Sequence, residues 1–165
     1  MRVFAIAGLS GTGKTTVIVQ LVRELIARGY SVATLKSTAE DVAPPAHKDT
    51  GAHWMAGANP VVLLGPRSTT ITHATRKKLS EVFTGDEADF LIVEGGKRSE
   101  SPKVWCVVGE DSAHDETPTD TLALVVWNNS GNYTSLDIPV IMSDEIDRLV
   151  RLVELHAADI GSVEL

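Results

Sequence analysis

The stretch Gly8-Leu9-Ser10-Gly11-Thr12-Gly13-Lys14-Thr15 constrains this chain more than any other. It fits G-x-x-x-x-G-K-[ST], a pattern in which a glycine loop joins a strand to a helix. At average residue usage the four fixed positions arise by chance in about one in two hundred chains of this size, so the flanks must decide. They agree with the pattern. Val3-Phe4-Ala5-Ile6-Ala7 is a short apolar run, read as a buried strand. Val17, Ile18, Leu21, Val22, Leu25 and Ile26 then recur at helical spacing, and Gly29 marks the stop. Such a loop turns backbone N–H groups toward phosphate oxygens, and the helix adds the positive end of its dipole. The expected ligand is a nucleoside triphosphate. Ser10, Gly11, Thr12, Gly13 and Thr16 would border its phosphates, Lys14 would meet the β- and γ-phosphates, and the Thr15 hydroxyl would ligate Mg²⁺.

Ser31-Val32-Ala33-Thr34-Leu35 reads as the next strand, so strand, helix and strand form a parallel unit. Lys36 then stands at a carboxyl strand end, the edge where open α/β sheets bind ligands, and reads either as a phosphate or substrate contact or as a solvated lysine. A polar loop with Pro44-Pro45 leads to a short helix from about Asp49 to Ala58. Asp49 and His53 would share one face there, as a ligand-binding pair or as an N-cap and a partly buried histidine. Val61-Val62-Leu63-Leu64 and Thr69-Thr70-Ile71-Thr72-His73 flank Gly65-Pro66, which predicts a hairpin or antiparallel strands at a sheet edge. Lys77 to Phe83 has room for a short helix at most.

The second informative stretch is Asp89-Phe90-Leu91-Ile92-Val93-Glu94. Four consecutive apolar residues between acids fit a central parallel strand covered on both faces. Glu94 closes it on the same edge as the glycine loop, where a carboxylate can hold Mg²⁺ or polarise water, whereas Asp89 falls at the opposite edge. Val104–Val108, Leu122–Val126 and Ile138–Ile141 are further strands, and Ser143 is expected to cap a last helix with Ile146, Leu149, Val150 and Val153 on its apolar face. Asn128-Asn129 follows a late strand, as in some base-reading loops, but the N-K-x-D pattern is absent. The expected fold is α/β: a three-layer α/β/α arrangement of the P-loop NTPase kind, with a mostly parallel sheet and antiparallel edge strands.

A chain of 165 residues suits one well-buried domain, taken as 1–165. Its 22 acidic and 15 basic residues leave a net charge of −7, which opposes non-specific binding to nucleic acid or anionic membrane. No apolar stretch reaches the ~18 residues of a membrane span, and no secretory apolar region precedes the loop, so a cytoplasmic protein is expected. Cys106, the single cysteine, lies in an apolar run and reads as a buried structural thiol.

Several blocks together resemble the MobB family, molybdopterin-guanine dinucleotide biosynthesis protein B. They are the glycine loop through Thr16, Arg28-Gly29-Tyr30-Ser31-Val32-Ala33-Thr34-Leu35-Lys36, Lys48-Asp49-Thr50 with His53, Val93-Glu94-Gly95-Gly96-Lys97, and Ile138-Pro139-Val140. The resemblance implies a GTP-binding P-loop protein of slow turnover, usually a homodimer, that assists the MobA-type guanylyltransferase joining GMP to molybdopterin. By position it assigns GTP and Mg²⁺ to Gly11, Gly13, Lys14 and Thr15, the metal to Glu94 as well, and places near the site Lys36, Asp49 and His53. Two departures stand out. Family members often carry histidines after the strand-end lysine, where this chain has Ser37-Thr38, and an aromatic residue where it has Gly96. An ATP-using small-molecule kinase is the alternative, with Arg67 and Arg76-Lys77-Lys78 as the candidates for a lid. A partition-type ATPase would carry a further lysine early in the loop, where Leu9 and Ser10 stand.

Overall fold

Val3 to Ala7 are each fully buried, because β1 (Arg2–Gly8) has strands on both sides and side chains covered on both faces. The computed structural model describes residues 1–83, 88–108, 117–118, 120–127, 133 and 137–164. After β1 the chain forms α1 (Lys14–Ala27) and β2 (Val32–Lys36). The segment Thr38–Val82 follows as a compact unit of its own, with α2 (Asp49–Met55), β3 (Val61–Leu64), β4 (Thr69–Thr72) and α3 (Leu79–Val82). The first unit resumes with β5 (Phe90–Glu94), β6 (Lys103–Val107), β7 (Thr121–Val126), β8 (Val140–Met142), α4 (Ile146–His156) and β9 (Ala158–Asp159).

Six strands of the first unit form a parallel sheet in the order β2-β5-β1-β6-β7-β8. Thus β1 and β2 are parallel, as expected, but β5 lies between them. Because β6 joins β1 only from Ala5, the start of β1 is free on that side, and β9 pairs there antiparallel at Arg2 and Val3. The fold is the α/β, mostly parallel arrangement the sequence implies.

Helices α1 and α4 pack on one face. Val17, Leu21, Leu25, Leu149, Val150 and Val153 meet Phe4, Ile6, Phe90, Ile92, Val104, Cys106 and Val125 in one core. Each large side chain removed from water in this way contributes about 1.5–3 kcal/mol. On the other face Ala7, Trp105, Val107, Leu124 and Val126 pack with Tyr133. Arg28 ties the helices together by pairing with Glu24 of α1 and with Asp147 and Glu154 of α4.

Two expected caps move. Ser143 does not cap α4: its N–H donates to Val126 O at 2.8 Å and prolongs the strand pairing, so the helix begins later, with Glu145 at its N-cap. The Glu145 carboxylate accepts the Met142 N–H at 2.8 Å, and this bond, with Arg148 beside it, holds its pKa below the usual carboxylate value. In the second unit Lys48 is the N-cap of α2, and Asp49 is the first helical residue. There β3 and β4 form the expected hairpin, closed by Gly65 N–H donating to Ser68 O at 2.8 Å, as a two-stranded sheet separate from the main one.

Candidate functional site

The glycine loop is fastened by its own polar groups. The Thr12 hydroxyl donates to Leu9 O at 2.9 Å, and the Lys14 ammonium donates to the same carbonyl. Gly13 has φ 79°, a left-handed conformation that suits glycine, and a Cβ there would fall 2.2 Å from the Trp127 ring. Trp127 leaves the end of β7, and its indole N–H donates to Thr12 O at 2.9 Å. No residue of the first turn of α1 is itself acidic, and the positive end of that helix faces the loop.

On the other side of β1, three elements converge. Lys36 and Glu94 are register partners at the carboxyl ends of β2 and β5. The Thr15 hydroxyl, from the first turn of α1, lies 3.0 Å from Glu94 Oε1, and Lys36 Nζ approaches the same oxygen at 3.5 Å. Glu94 is largely buried, whereas Lys36 keeps 70 % of its side chain exposed. A cleft of about 380 Å³ opens beside them, lined by Thr15, Ile18, Val22, Lys36, Ile92 and Glu94 among others.

The donor set fits magnesium. Oxygens held at about 2.0–2.1 Å and at right angles around Mg²⁺ lie about 3 Å apart, the spacing of Thr15 Oγ1 and Glu94 Oε1. Among the described residues no group of three or more His, Cys, Asp or Glu could hold a metal. One carboxylate and one hydroxyl suit an ion that takes its remaining ligands from phosphate and water. The loop, with its open backbone and Lys14, suits phosphate oxygens.

Of the remaining expected residues, Ser10, Gly11 and Thr16 are exposed along the loop and helix start, and Thr12 is buried within the loop. Asp49 and His53 lie in the first and last turns of α2, in the second unit. Both are exposed, which corrects the reading of His53 as partly buried. Lys77 pairs with Glu81 at 3.2 Å, and Lys78 donates its N–H to the same carboxylate at 2.8 Å, so both serve α3. Asp89 sits at the opposite end of the sheet from Glu94, as expected. Cys106 is buried, and its thiol pKa is pushed up to about 12 by desolvation. Gly96 has φ 64°, so the turn after Glu94 takes a conformation in which an aromatic residue would be strained. Trp127 was not foreseen; its signal is an aromatic directly after a buried strand on the ligand-binding edge. Asn128-Asn129 lies outside the described residues, as does most of the acidic stretch from Gly109 to Pro118.

A glycine loop after the central strand, and an acid ending the adjacent strand, define an α/β protein with a P-loop NTPase-like fold. Within that class, residues 3–134 match the family model of Molybdopterin guanine dinucleotide synthesis protein B (MobB), and the chain belongs to that family. A Haemophilus influenzae relative, a Molybdopterin-guanine dinucleotide biosynthesis adapter protein, is 32% identical over 105 residues. That match covers 60% of this chain and 59% of the relative, less than two thirds of its length. Solved structures share the fold. Bacillus subtilis MobB superposes with a TM-score of 0.76 at 21% identity, over 95% of this chain and 98% of that one. The MobB homologue of Bacillus stearothermophilus gives 0.68 at 21% identity, over 94% and 97%.

Proposed function

We propose that this MobB-family chain is a GTP-binding adapter in molybdopterin guanine dinucleotide synthesis, with slow Mg²⁺-dependent GTP hydrolysis. The observation that carries the reading is the 3.0 Å approach of Thr15 and Glu94 beside the glycine loop. Lys14 and the loop N–H groups hold the phosphates, and Thr15 and Glu94 hold the metal. Mg²⁺ held there would supply charge neutralisation for the triphosphate. Lys36 faces the Glu94 carboxylate at 3.5 Å and adds positive charge at the γ-phosphate end. Glu94, the one carboxylate in this cluster, is engaged with Thr15 and Lys36 rather than placed as a free base, which suits slow turnover and an adapter's role.

The partner class is a guanylyltransferase that joins GMP to molybdopterin; the name of the Haemophilus influenzae relative, a biosynthesis adapter protein, supports a role in molybdopterin-guanine dinucleotide synthesis. A homodimer fits as well: the second unit leaves Val62, Leu64 and Ile71 exposed on one face of its hairpin, an apolar surface that pairing of two copies would cover. Calorimetric titration of GTP, GDP and ATP with Mg²⁺ into wild type and Lys14→Ala tests the reading. Tight GTP binding, lost in the variant, is expected. A preference for ATP, with phosphate transferred to an acceptor, would replace the adapter by a small-molecule kinase.

A further inference from the structure

We propose that Trp127 forms a stacking subsite for the nucleobase, so that the bound nucleotide is gripped at both ends and purines are favoured over pyrimidines. This rests on the nucleotide-binding reading above and names the residue that receives the base.

The direction of the ligand follows from the sheet. Thr15, Glu94 and Lys36 mark the metal and γ-phosphate end, and both strand residues lie on the β5–β2 side of β1. A triphosphate laid along the loop from that end sends its nucleoside toward the β6–β7–β8 side. Trp127 leaves the carboxyl end of β7 there and reaches back to the loop itself.

The ring is placed to serve as a platform. Its N–H is anchored on Thr12 O, and one part of the ring lies so close to Gly13 that no other residue type fits beneath it. Yet 38 % of Trp127 stays exposed, whereas Trp105, which only fills the core, is fully buried. An aromatic that is both anchored and open, beside a phosphate-binding loop, offers a flat face to a base. Stacking reads area rather than base edges, so it favours the larger purine rings without separating guanine from adenine. That separation must come from other groups.

The test measures Mg²⁺-dependent binding of GTP, CTP and inorganic tripolyphosphate to wild type, Trp127→Phe and Trp127→Leu, by calorimetry and tryptophan fluorescence. The informative quantity is how much tighter GTP binds than tripolyphosphate. In Trp127→Leu this ratio is expected to fall about tenfold, the gap between GTP and CTP to narrow, and Trp127→Phe to keep most of both. GTP should quench wild-type emission more than tripolyphosphate does, and the difference should vanish in Trp127→Phe, which retains Trp54 and Trp105. An unchanged ratio in Trp127→Leu overturns the subsite. So does an equal loss for GTP and tripolyphosphate, which would make Trp127 only a strut for the loop. A wild type that binds neither GTP nor tripolyphosphate removes the nucleotide reading itself, and the subsite with it.

Discussion

At the amino ends of the strands, Lys103 is only 1 % exposed, and its ammonium meets Ser99 O at 2.6 Å and Asp120 at 2.7 Å. At the carboxyl ends, Lys36 keeps 70 % of its side chain in water and approaches Glu94 only at 3.5 Å. The same contrast holds for the acids. Asp89 Oδ2, at the amino end, accepts both the N–H and the hydroxyl of Ser31, at 2.8 and 2.7 Å. Glu94, at the carboxyl end, meets a hydroxyl and a largely exposed lysine. Lys103 and Asp89 at one end are closed into short bonds with the fold; Lys36 and Glu94 at the other leave valences for something else. One end holds the sheet together, and the other holds what the sheet is for.

That division can be broken by experiment. Lys103→Ala removes a buried stem and leaves Ser99 O without its donor, so stability should fall by about 3 kcal/mol in urea unfolding. Lys103→Met, which refills the volume but still leaves Ser99 O without its donor, should cost less, about 1–2 kcal/mol, and neither change should alter nucleotide affinity of the folded protein. Lys14→Ala should do the reverse. Nucleotide affinity should drop on the order of a hundredfold, while stability stays within about 0.5 kcal/mol. If Lys14→Ala unfolds the protein, or Lys103→Met abolishes binding, the two ends are not separate in function. Glu94→Gln should remove most of the Mg²⁺ dependence of binding, about tenfold, measured by titration with and without the metal.

The smallest effect is expected at Asp89. Its pKa is lowered chiefly by the Ser31 N–H and then by the Ser31 hydroxyl. A carboxylate with a folded pKa below its unfolded value adds stability above the unfolded value, about 3.9, and loses it as pH falls through the folded one. Wild type should therefore exceed Asp89→Asn in thermal stability at pH 7, and the gap should close in the acid range. A gap that persists at low pH would mean that Asp89 acts through its shape alone.

Much of the carboxyl end was legible because its signals are local. The glycine loop needs eight adjacent residues, and Glu94 is marked by the four apolar residues before it. The amino end was less legible, because its chemistry depends on pairing between distant segments. Lys103 reads as a surface charge at a strand start, but β1 and β7 on either side enclose it. The insertion of β5 between β1 and β2 likewise has no local mark. Ser143 looks like a helix cap until Val126, seventeen residues earlier, takes its N–H. Trp127 acquires its meaning only from Thr12 and Gly13, on a loop more than a hundred residues away.

The pairing of β1 also bears on how the protein is made. This strand leaves the ribosome before all of its partners, residues 90–94, 103–107 and 158–159. Until the chain has grown beyond residue 107, this buried strand lacks its two parallel neighbours, and β9 completes the set only at residue 159. Contacts of such long sequence separation favour slow folding and a period in which unpaired strand edges are open to other chains. The glycine loop is thus synthesised before the strands that frame it and takes its shape only after them.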